Sequence, residues 1–455
     1  MNDMLHTHRH TIDPLKIELR PIGSLKRAKN NARRHSERQI EQVAASIRHF
    51  GFTNPIIIDE EGTIVAGHAR YEAARSLQIA DVPTIQVTYL DEAELRAYRL
   101  ADNKIAANAD WDPDILHNEL EQLTEIETRV DIEITGFSTT EIDLALEANP
   151  IDRKLDEQPS LDRREVTGVE RGDLWMLGGH RLLCGDSRDP ASFERLMAGE
   201  QARMVFSDPP FNVKVDGHVG GLGRTKHAEF AMASGEMSAD QFTRFLAVVF
   251  DNAAHVSIDG AIHYQCMDWR HIPEMMEAGQ QAYSGLQNVC TWVKDNGGMG
   301  SFYRSQHELV FVWKVGDAPH LNTVQLGKNG RYRTNVWHYR GATKTGADAE
   351  LALHPTVKPV TMIMDAIKDT SHRRDIVLDP FGGSGSTLLA AHRTGRRGRL
   401  IEYEPNYCAV TIRRWEKLTR KEAVLEATGE TFSTVHARRN AEMEALAEAA
   451  LGGDE

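Results

Sequence analysis

The sequence has few cysteines and no long apolar run, and both absences narrow the class of protein. Nowhere do about 18 apolar residues run together, and the first ten residues contain no apolar segment typical of a signal peptide. The cysteines form no CxxC pair and have no histidine at zinc-ligand spacing, so we expect neither disulfides nor a metal site: they are Cys184, Cys266, Cys290 and Cys408. The sequence therefore predicts a cytoplasmic protein without a membrane partner.

The charge balance is acidic overall but basic in one region. A formal net charge of -14 argues at first against nucleic acid as a partner, because phosphate neutralisation dominates such binding. Between Arg270 and Gly346, however, nine basic residues outnumber five acidic ones. This region could hold phosphates or contact base edges, so we expect a nucleic-acid recognition region at about 270–346.

The first part of the chain has the patterns of an α+β domain, which we place at residues 13–148. Ser36 and Gln39 form a capping-box pattern, and apolar residues at helical spacing follow until Gly51. Three apolar runs predict strands and a longer run predicts a helix: Pro55 to Asp59, Thr63 to Ala66, Val82 to Tyr89, and Glu92 to Asn108.

A polar, proline-bearing stretch at 149–165 predicts a linker to a second domain at 166–425. In that domain apolar strands alternate with helical patterns, which favours a doubly wound, mostly parallel sheet. The strands are predicted at Leu182 to Cys184, Met204 to Phe206, Ala261 to Tyr264, Ile376 to Leu378 and Arg399 to Ile401. Residues 426–455 are rich in Ala and Glu and predict an appended helix or a frayed tail.

A glycine-rich segment, Asp379 to Thr387, lies between a predicted strand and a predicted helix. Its glycines permit close approach of a ligand, and the following helix presents N–H groups to an anion. It lacks the lysine of a P-loop and the GxGxxG spacing, so a carboxylate or phosphate fits better than a nucleotide pyrophosphate. Glu402 ends the next strand, roughly where an acid binds ribose hydroxyls in doubly wound folds, and Glu404 is the alternative.

A second segment, Ser207 to Phe211, follows the predicted strand Met204 to Phe206 and has the sequence Ser-Asp-Pro-Pro-Phe. Two prolines after Asp208 form a rigid elbow, which fixes the directions of that carboxylate and of the Pro209 carbonyl. Two fixed acceptors are suited to holding an amine. Phe211 could stack against a flat ring.

Together, these two segments resemble the DNA amino-methyltransferases in the permuted (beta-group) order, in which the catalytic loop precedes the cofactor loop. Gly185-Asp186 resembles the family's strand-end acid that meets the cofactor's adenine, and His354-Pro-Thr-Val-Lys-Pro359 resembles the family's His-Pro-Thr-x-Lys-Pro element. Trp292-Val-Lys294 and His307-Glu308 are similar to its central segment. The resemblance covers about Gly172 to Arg414.

The resemblance implies a Rossmann-like methyltransferase fold with S-adenosyl-L-methionine as cofactor. It implies catalytic roles for Asp208, Pro209, Pro210 and Phe211. It implies cofactor contacts from Asp186, Thr356, Lys358, Asp379, Phe381, Gly383, Gly385, Ser386, Thr387 and Glu402.

The N-terminal domain contains a second resemblance. Ala66-Gly-His-Ala-Arg-Tyr-Glu-Ala-Ala-Arg75 is similar to the GxxR signature of ParB-type and sulfiredoxin-like nucleotide-binding domains. The resemblance implies a nucleoside triphosphate at Gly67, His68 and Arg70. No clear helix-turn-helix follows, so partition activity is not expected. The alternative for Arg70 is a structural cap or an ion pair.

The expected function is methylation of the N6 amino group of adenine in double-stranded DNA, at a base flipped out of the helix, as in restriction-modification. In the family resemblance, Asp at the position of Asp208 goes mostly with adenine and Ser mostly with cytosine. The alternatives are an N4-cytosine DNA methyltransferase, a methyltransferase of RNA or protein amides, and a ParB-like, nucleotide-switched DNA-binding protein whose methyltransferase half is inactive. A homodimer is one assembly to consider.

Overall fold

The computed structural model describes residues 15–125, 132–146, 168–213, 235–295, 297, 302–324, 332–339 and 358–451. The chain divides into two compact units, Met1–Ala148 and Asn149–Glu455. In the described part of the chain, no helix has both the length and the apolar character needed to cross a membrane.

The first unit is built on a four-stranded mixed sheet in the order β1-β4-β2-β3. β2 (Ile56–Ile58) and β3 (Ile64–Ala66) pair antiparallel, which confirms the predicted strand pair. β4 (Asp81–Gln86), the predicted third strand, lies between β2 and β1 (Ile17–Pro21). The sequence analysis missed β1, whose Ile17 and Leu19 are 63% and 72% exposed, because an edge strand with exposed apolar side chains has no buried face to reveal it.

Five α-helices of this unit are described: α1 (Glu37–Phe50), α2 (His68–Ser76), α3 (Glu92–Ala106), α4 (Pro113–Glu125) and α5 (Thr139–Leu146). Ser36 Oγ caps α1 by accepting from the Gln39 N–H at 3.2 Å. α3 carries a reciprocal capping box between Asp91 and Glu94. Both predicted helices are therefore present, with their starts fixed by short polar side chains.

The second unit contains a ten-stranded sheet in the order β11-β9-β10-β8-β7-β12-β13-β6-β5-β14. The strands are β5 (Leu174–Leu177), β6 (His180–Cys184), β7 (Ala202–Ser207), β8 (Ser257–Met267), β9 (Gly285–Val293), β10 (His307–Lys314), β11 (Val336–His338), β12 (Ile376–Asp379), β13 (Arg397–Glu402) and β14 (Val424–Leu425). The five central strands, from β8 to β6, are parallel, whereas β5, β10 and β14 pair antiparallel. The predicted doubly wound sheet is therefore confirmed at its centre and is mixed at its margins.

The helices of this unit are α6 (Pro190–Met197), α7 (Ala239–His255), α8 (Ile272–Ala282), α9 (Val360–Thr370), α10 (Ser386–Arg393), α11 (Pro405–Thr419) and α12 (Phe432–Leu451). α12 begins within the predicted tail, yet Phe432 and Val435 are buried in the same apolar core as Trp175. Arg439 also contacts the Asp173 carboxylate at 2.5 Å. The start of this segment is therefore packed onto the sheet.

The parallel centre brings several distant segments to one edge. Because parallel strands end at the same side of a sheet, the residues that follow β6, β7, β12 and β13 share this edge. These residues include Asp186, Asp208 and the glycine-rich segment. The fold thus brings together residues that lie nearly 200 positions apart in the sequence.

Three histidines are enclosed in this unit. His180 Nε2 lies 3.2 Å from His392 Nδ1, and His180 Nδ1 accepts from the Gly398 N–H at 2.8 Å. His263 lies between Ser257 and Tyr283, at 2.9 and 3.2 Å. Burial lowers the pKa of His180 and His263 to about 3 and that of His392 to about 4, so all three are neutral at physiological pH.

We expect the buried histidines to favour unfolding of the second unit as the pH falls below about 6.5, in opposition to the buried carboxyl groups of Asp379 and Glu402, whose pKa values burial raises to about 7. The unfolded chain then protonates histidines that the folded chain keeps neutral, so folding is favoured fully only above the unfolded pKa. Each fully buried imidazole should cost about 2 kcal/mol of unfolding free energy at about pH 5. Urea unfolding, followed by tryptophan fluorescence across this pH range, measures the effect. His263→Asn should flatten the dependence and His338→Asn, at an exposed position, should not; equal slopes in both variants would contradict the assignment.

Candidate active site

The glycine-rich segment forms a tight turn between β12 and α10. Gly385 has a φ of 84°, and a Cβ there would lie 2.6 Å from Thr411 Cγ2 on α11. The Gly385 N–H donates to the Gly382 carbonyl at 2.8 Å, and Thr411 Oγ1 donates to the Gly383 carbonyl at 3.1 Å. The turn is therefore fixed from both sides. It leads directly into α10, whose first N–H groups have no partner within the helix.

Two buried carboxyl groups flank this turn. Glu402 accepts from the Gly383 N–H at 2.7 Å and from the Glu404 N–H at 2.8 Å. Asp379 accepts from the Phe381 N–H at 3.0 Å. Burial raises the pKa of both Asp379 and Glu402 to about 7. The charge of the pocket therefore changes near neutral pH.

Asp186 lies beside Glu402, at the end of the neighbouring strand. The preceding Gly185 N–H donates to the Glu402 carbonyl at 2.9 Å. Arg188 binds the Asp186 carboxylate through Nε at 3.0 Å and through a terminal nitrogen at 2.5 Å. Partial burial opposes ionisation, but this guanidinium holds the pKa of Asp186 below its ordinary value. Asp186 is thus a charged acceptor, and Arg188 is a partner that the sequence analysis did not identify.

The Asp-Pro-Pro-Phe segment follows β7 at the same edge. Asp208 Oδ2 lies 2.6 Å from Lys358 Nζ, whereas Asp208 Oδ1 is buried and has no hydrogen-bond partner among the described residues. Phe211 is partly buried between two apolar clusters, and Lys358 Nζ lies 5.2 Å from its ring centroid. One carboxylate oxygen and one aromatic face are therefore presented at this position.

A chain of alternating charges continues from Asp208. Lys358 Nζ lies 3.0 Å from Glu308 Oε2, and Lys294 binds the other oxygen of Glu308. Although burial opposes both charges, the carboxylates raise the pKa of Lys358, and the two ammonium groups hold the pKa of Glu308 below its usual value. The four side chains therefore alternate in charge, two negative and two positive, and each lies next to a group of opposite sign.

Several buried polar atoms at this edge have no hydrogen-bond partner in the described part of the protein. Buried polar groups are nearly always paired, so a group of unpaired ones at a sheet edge indicates a polar ligand. These atoms are Ser207 Oγ, Asp208 Oδ1, Gln265 Oε1 and Ser386 Oγ. They lie on β7, on the loop after it, on β8 and at the start of α10.

The structure brings most of the predicted site residues to this edge. Asp379, Phe381, Gly383, Gly385, Ser386, Thr387 and Glu402 form the turn and its surroundings, and Asp186 lies next to them. Lys358 lies 2.6 Å from Asp208 through its Nζ, and its contact with the cofactor stays a prediction. Thr356 falls outside the described residues.

The N-terminal GxxR turn precedes α2. Gly67 has a φ of 97°, and Arg70 donates to the Asn54 and Pro55 carbonyls at 3.0 and 2.6 Å. Burial, reinforced by the charge of Arg99, lowers the pKa of His68 to about 4. Arg70 therefore fastens α2 to the start of β2.

A cavity of about 520 Å³ lies in the same unit. Four basic residues line it together with three asparagines: Arg33, Arg96, Arg99 and Lys104, with Asn30, Asn31 and Asn103. Arg33 donates to Asn103 Oδ1 at 3.0 Å, and Arg99 Nε is buried without a hydrogen-bond partner among the described residues. The cavity is thus suited to an anion.

Comparison with known proteins identifies both units. A family model described as DNA methylase matches residues 202–413, and one described as ParB N-terminal domain matches residues 6–104. The chain joins a ParB N-terminal domain to a DNA methylase domain. In the methylase domain the catalytic segment precedes the glycine turn, as the permuted order requires.

Relatives match the two domains separately. The chain is 44% identical over 82 residues to the ParB-like nuclease domain-containing protein YnaK of Escherichia coli (strain K12), a match that covers 18% of this chain and 94% of that protein. It is 26% identical over 244 residues to the type II methyltransferase M2.DpnII of Streptococcus pneumoniae, which covers 50% of this chain and 87% of that protein. It is 24% identical over 234 residues to the type II methyltransferase M2.LlaDCHI of Lactococcus lactis subsp. cremoris, a match that covers 48% of this chain and 83% of that protein.

Asn212 is a residue of the methylase domain that the sequence analysis missed. It adopts a φ of 52°, a conformation that asparagine tolerates better than most residues. Its Oδ1 accepts from the Gly235 and Met237 N–H groups at 3.0 and 3.2 Å, and its Nδ2 donates to the Met237 carbonyl at 2.9 Å. Asn212 therefore fastens residues 235–237 next to the catalytic segment. An asparagine directly after Asp-Pro-Pro-Phe was the available signal.

The glycine turn fits S-adenosylmethionine, the cofactor of this domain class. Gly385 allows α11 to pack directly against the turn, because a Cβ there would meet Thr411. The unpaired Ser386 Oγ and the first N–H groups of α10 can bind the cofactor carboxylate, while Glu402 and Asp186 offer acceptors for hydroxyl and amino groups. The donors and acceptors present are those that the cofactor needs.

We expect the affinity for S-adenosylmethionine to be about tenfold weaker at about pH 6 than at about pH 8. We expect Glu402 to accept from the ribose hydroxyls; its pKa is about 7, and protonation below pH 7 weakens this acceptor because a carboxylic acid accepts less strongly than a carboxylate. Calorimetric titration of the full chain at both pH values measures the change. The Glu402→Gln variant should bind the cofactor weakly. Its affinity should depend less on pH, because Asp379 is then the remaining carboxyl group of the two that titrates near neutral pH. An unchanged dependence in this variant would assign the titration to another group.

Proposed function

We propose that the methylase domain transfers a methyl group from S-adenosylmethionine to the N6 amino group of adenine in double-stranded DNA. The observation that carries this proposal is the unpaired, buried Oδ1 of Asp208; the Lys358 ammonium group that binds the other oxygen lies 5.2 Å from the ring centroid of Phe211. A carboxylate oxygen without a partner is costly unless a ligand supplies a donor. An exocyclic amino group on a flat base is such a donor.

The cofactor supplies an electrophilic methyl group. On the protein side, the glycine turn would bind its amino-acid end, Glu402 its ribose and Asp186 its adenine. The residues proposed to bind the cofactor follow the carboxyl ends of parallel strands at the same edge as Asp208, which supports a meeting of methyl donor and target there.

The target amine is a weak nucleophile, because its lone pair is delocalised into the ring. Hydrogen bonds from its two N–H groups to Asp208 Oδ1 and to the Pro209 carbonyl would favour a pyramidal nitrogen whose lone pair is available for attack. As the new N–C bond forms, the bond between the methyl carbon and the sulfonium sulfur would break, leaving a neutral thioether, and one N–H proton would be lost to Asp208 or to water. Positioning of the amine by these acceptors supplies most of the rate.

The base must leave the helix to reach Asp208. Phe211 offers an aromatic face, and stacking contributes about 1 to 3 kcal/mol per base. A purine gains more from such stacking than a pyrimidine, and Asp at position 208 resembles the adenine-specific branch of the family. Both features favour adenine N6 over cytosine N4, although both amines offer two hydrogens to the same acceptors.

Two alternatives make different predictions. An N4-cytosine methyltransferase would use the same acceptors, so only the product distinguishes it. A ParB-like DNA-binding protein with an inactive methyltransferase half would not need the intact glycine turn or the paired Asp208, so the site geometry disfavours it.

We also propose a nucleoside triphosphate as the ligand of the ParB N-terminal domain. The cavity lined by Arg33, Arg99 and Lys104 supplies cations for phosphates, and its asparagines supply donors and acceptors. The GxxR turn lies near it, since Arg99 influences the pKa of His68. Arg70 is already bound by two backbone carbonyls, so its role in this domain is primarily structural.

Asp208→Asn should lower methyl transfer at least about 100-fold while the affinity for S-adenosylmethionine stays within about twofold. The amide replaces an acceptor oxygen by a donor on the side that faces the target and leaves the glycine turn unchanged. Transfer of labelled methyl groups to unmethylated plasmid DNA, with calorimetry of the cofactor, measures both. Transfer at the wild-type rate would refute the catalytic role of Asp208.

Nucleosides from DNA methylated by the wild-type protein should contain N6-methyladenine, because the pocket combines Asp208 with an aromatic face. Mass analysis of the digested DNA after incubation with labelled cofactor measures the product. Detection of N4-methylcytosine alone would replace the adenine assignment and leave the fold and the cofactor assignment intact.

A nucleoside triphosphate should raise the unfolding temperature of the N-terminal domain in the full chain, and Arg99→Met should remove this shift. Arg70→Met should instead lower the starting stability, since it breaks two bonds to backbone carbonyls. Thermal unfolding with each of the four common triphosphates measures both effects. No shift with any of them would exclude a triphosphate as the ligand.

A further inference from the structure

Three motifs that lie far apart in the sequence meet in one chain of charges that is buried at its centre. Asp208 follows β7, Lys358 precedes α9, and Glu308 and Lys294 stand at the facing ends of the β9–β10 hairpin. Their side chains alternate in sign, with Lys358 3% and Glu308 7% exposed. Burying charge is costly unless each charge is paired, so this arrangement needs a reason beyond stability.

We propose that Lys358 is a positioning residue on the target side of the reaction, which holds Oδ2 of Asp208 so that Oδ1 faces the target amine. This inference rests on the proposed function, because it assigns Asp208 the role of amine acceptor. Glu308 and Lys294 complete the arrangement by holding Lys358 in place.

The contacts of Lys358 support this assignment. Its Nζ lies 2.6 Å from Asp208 and 3.0 Å from Glu308. The same ammonium group lies 5.2 Å from the ring centroid of Phe211 and 5.9 Å from that of Trp292. All of these partners belong to the catalytic segment or to the β9–β10 hairpin. Lys358 therefore faces the target side of the pocket.

The two oxygens of the Asp208 carboxylate have different surroundings. One oxygen is bound by an ammonium group and the other is buried without a partner among the described residues. A carboxylate held through one oxygen has a fixed plane, so the direction of the other is set before the target arrives. The target amine can then be bound without a rearrangement of Asp208.

Lys358 also opposes protonation of Asp208. Burial raises the pKa of Asp208, the nearby carboxylate of Glu308 raises it further, and Lys358 opposes both. The other groups that face this site are Lys294, which opposes protonation of Asp208, together with Asp379 and the thiol of Cys266. Without the Lys358 ammonium, Asp208 would take up a proton at a higher pH and would lose acceptor capacity.

Lys358→Met tests this inference, and Lys368→Met is the matched control. Lys368 is a buried lysine on α9, about 12 Å along the helix from its first residue, Val360, and its Nζ lies 3.3 Å from Asp365. The full-length variants are compared by calorimetry with S-adenosylmethionine. Single-turnover methylation of unmethylated plasmid DNA is then measured from about pH 6 to about pH 9.5. Saturating cofactor at each pH removes the contribution of Asp379 and Glu402 to the pH dependence of cofactor binding.

For Lys358→Met we expect a rate about 100-fold lower at neutral pH and partly restored toward high pH, with cofactor affinity within about twofold of the wild type. Lys368→Met should keep the wild-type pH profile. Lys358→Arg, which retains the charge, should show a reduced rate, but the pH at which the rate falls on the acid side should be that of the wild type. A cofactor affinity reduced more than about tenfold, a wild-type rate, or an equal loss at every pH in Lys358→Met would overturn the inference.

Two further measurements keep the test decisive. If Lys358→Met does not fold, Glu308→Gln removes the second carboxylate but leaves Lys358 on Asp208. We then expect a rate loss below about tenfold. The pH at which the rate falls on the acid side of the profile should be equal to or lower than that of the wild type, and a higher value would overturn the inference. If the wild type transfers no methyl group, or Asp208→Asn stays active, the proposed function itself fails. An active wild type, an inactive Asp208→Asn and an unaffected Lys358→Met would refute only the role of Lys358.

Discussion

The carboxylates of Asp208 and Glu308 share the buried ammonium group of Lys358, and the geometry of the site depends on this interaction. The three groups come from three different parts of the chain, so the ion pairs form only when the sheet is complete. Removing one member of a buried pair leaves an uncompensated charge, which is far more costly than losing a surface pair. The arrangement therefore ties the catalytic carboxylate to the folding of the whole domain.

The strand order explains why these parts meet. β7 and β12 are adjacent in the sheet although the glycine turn follows the catalytic segment by about 170 residues in the sequence. With β13 and β6 beyond β12, four strand ends supply Asp208, the glycine turn, Glu402 and Asp186 in spatial order. A parallel centre thus allows a permuted chain to assemble one site, because neighbouring strand ends matter and chain order does not.

Sequence patterns predicted what local chemistry determines. The strand before Asp208, the glycine turn, Glu402 at a strand end and the capped start of α1 could all be predicted, since each depends on neighbours in the sequence. The partner of Lys358 could not be predicted, because it depends on packing between distant elements. The same holds for Arg188, for the anchor formed by Asn212 and for the edge strand β1, whose apolar residues remain exposed. The expectation that Lys358 contacts the cofactor came from resemblance alone.

The excess of basic residues between 270 and 346 overstates the positive charge that is available to bind DNA phosphates. Lys294 is bound to Glu308, and Arg333 lies 3.0 and 3.1 Å from the Asp369 and Asp365 carboxylates. Arg270 likewise lies 3.0 Å from Asp268. Each such pair offsets a cation that the composition counts as available for phosphate. With a net charge of -14 on the whole chain, little of the binding free energy can come from long-range attraction. In the proposed function, contacts of a flipped base with Asp208 and Phe211 would therefore carry a larger share of recognition than the local composition implies.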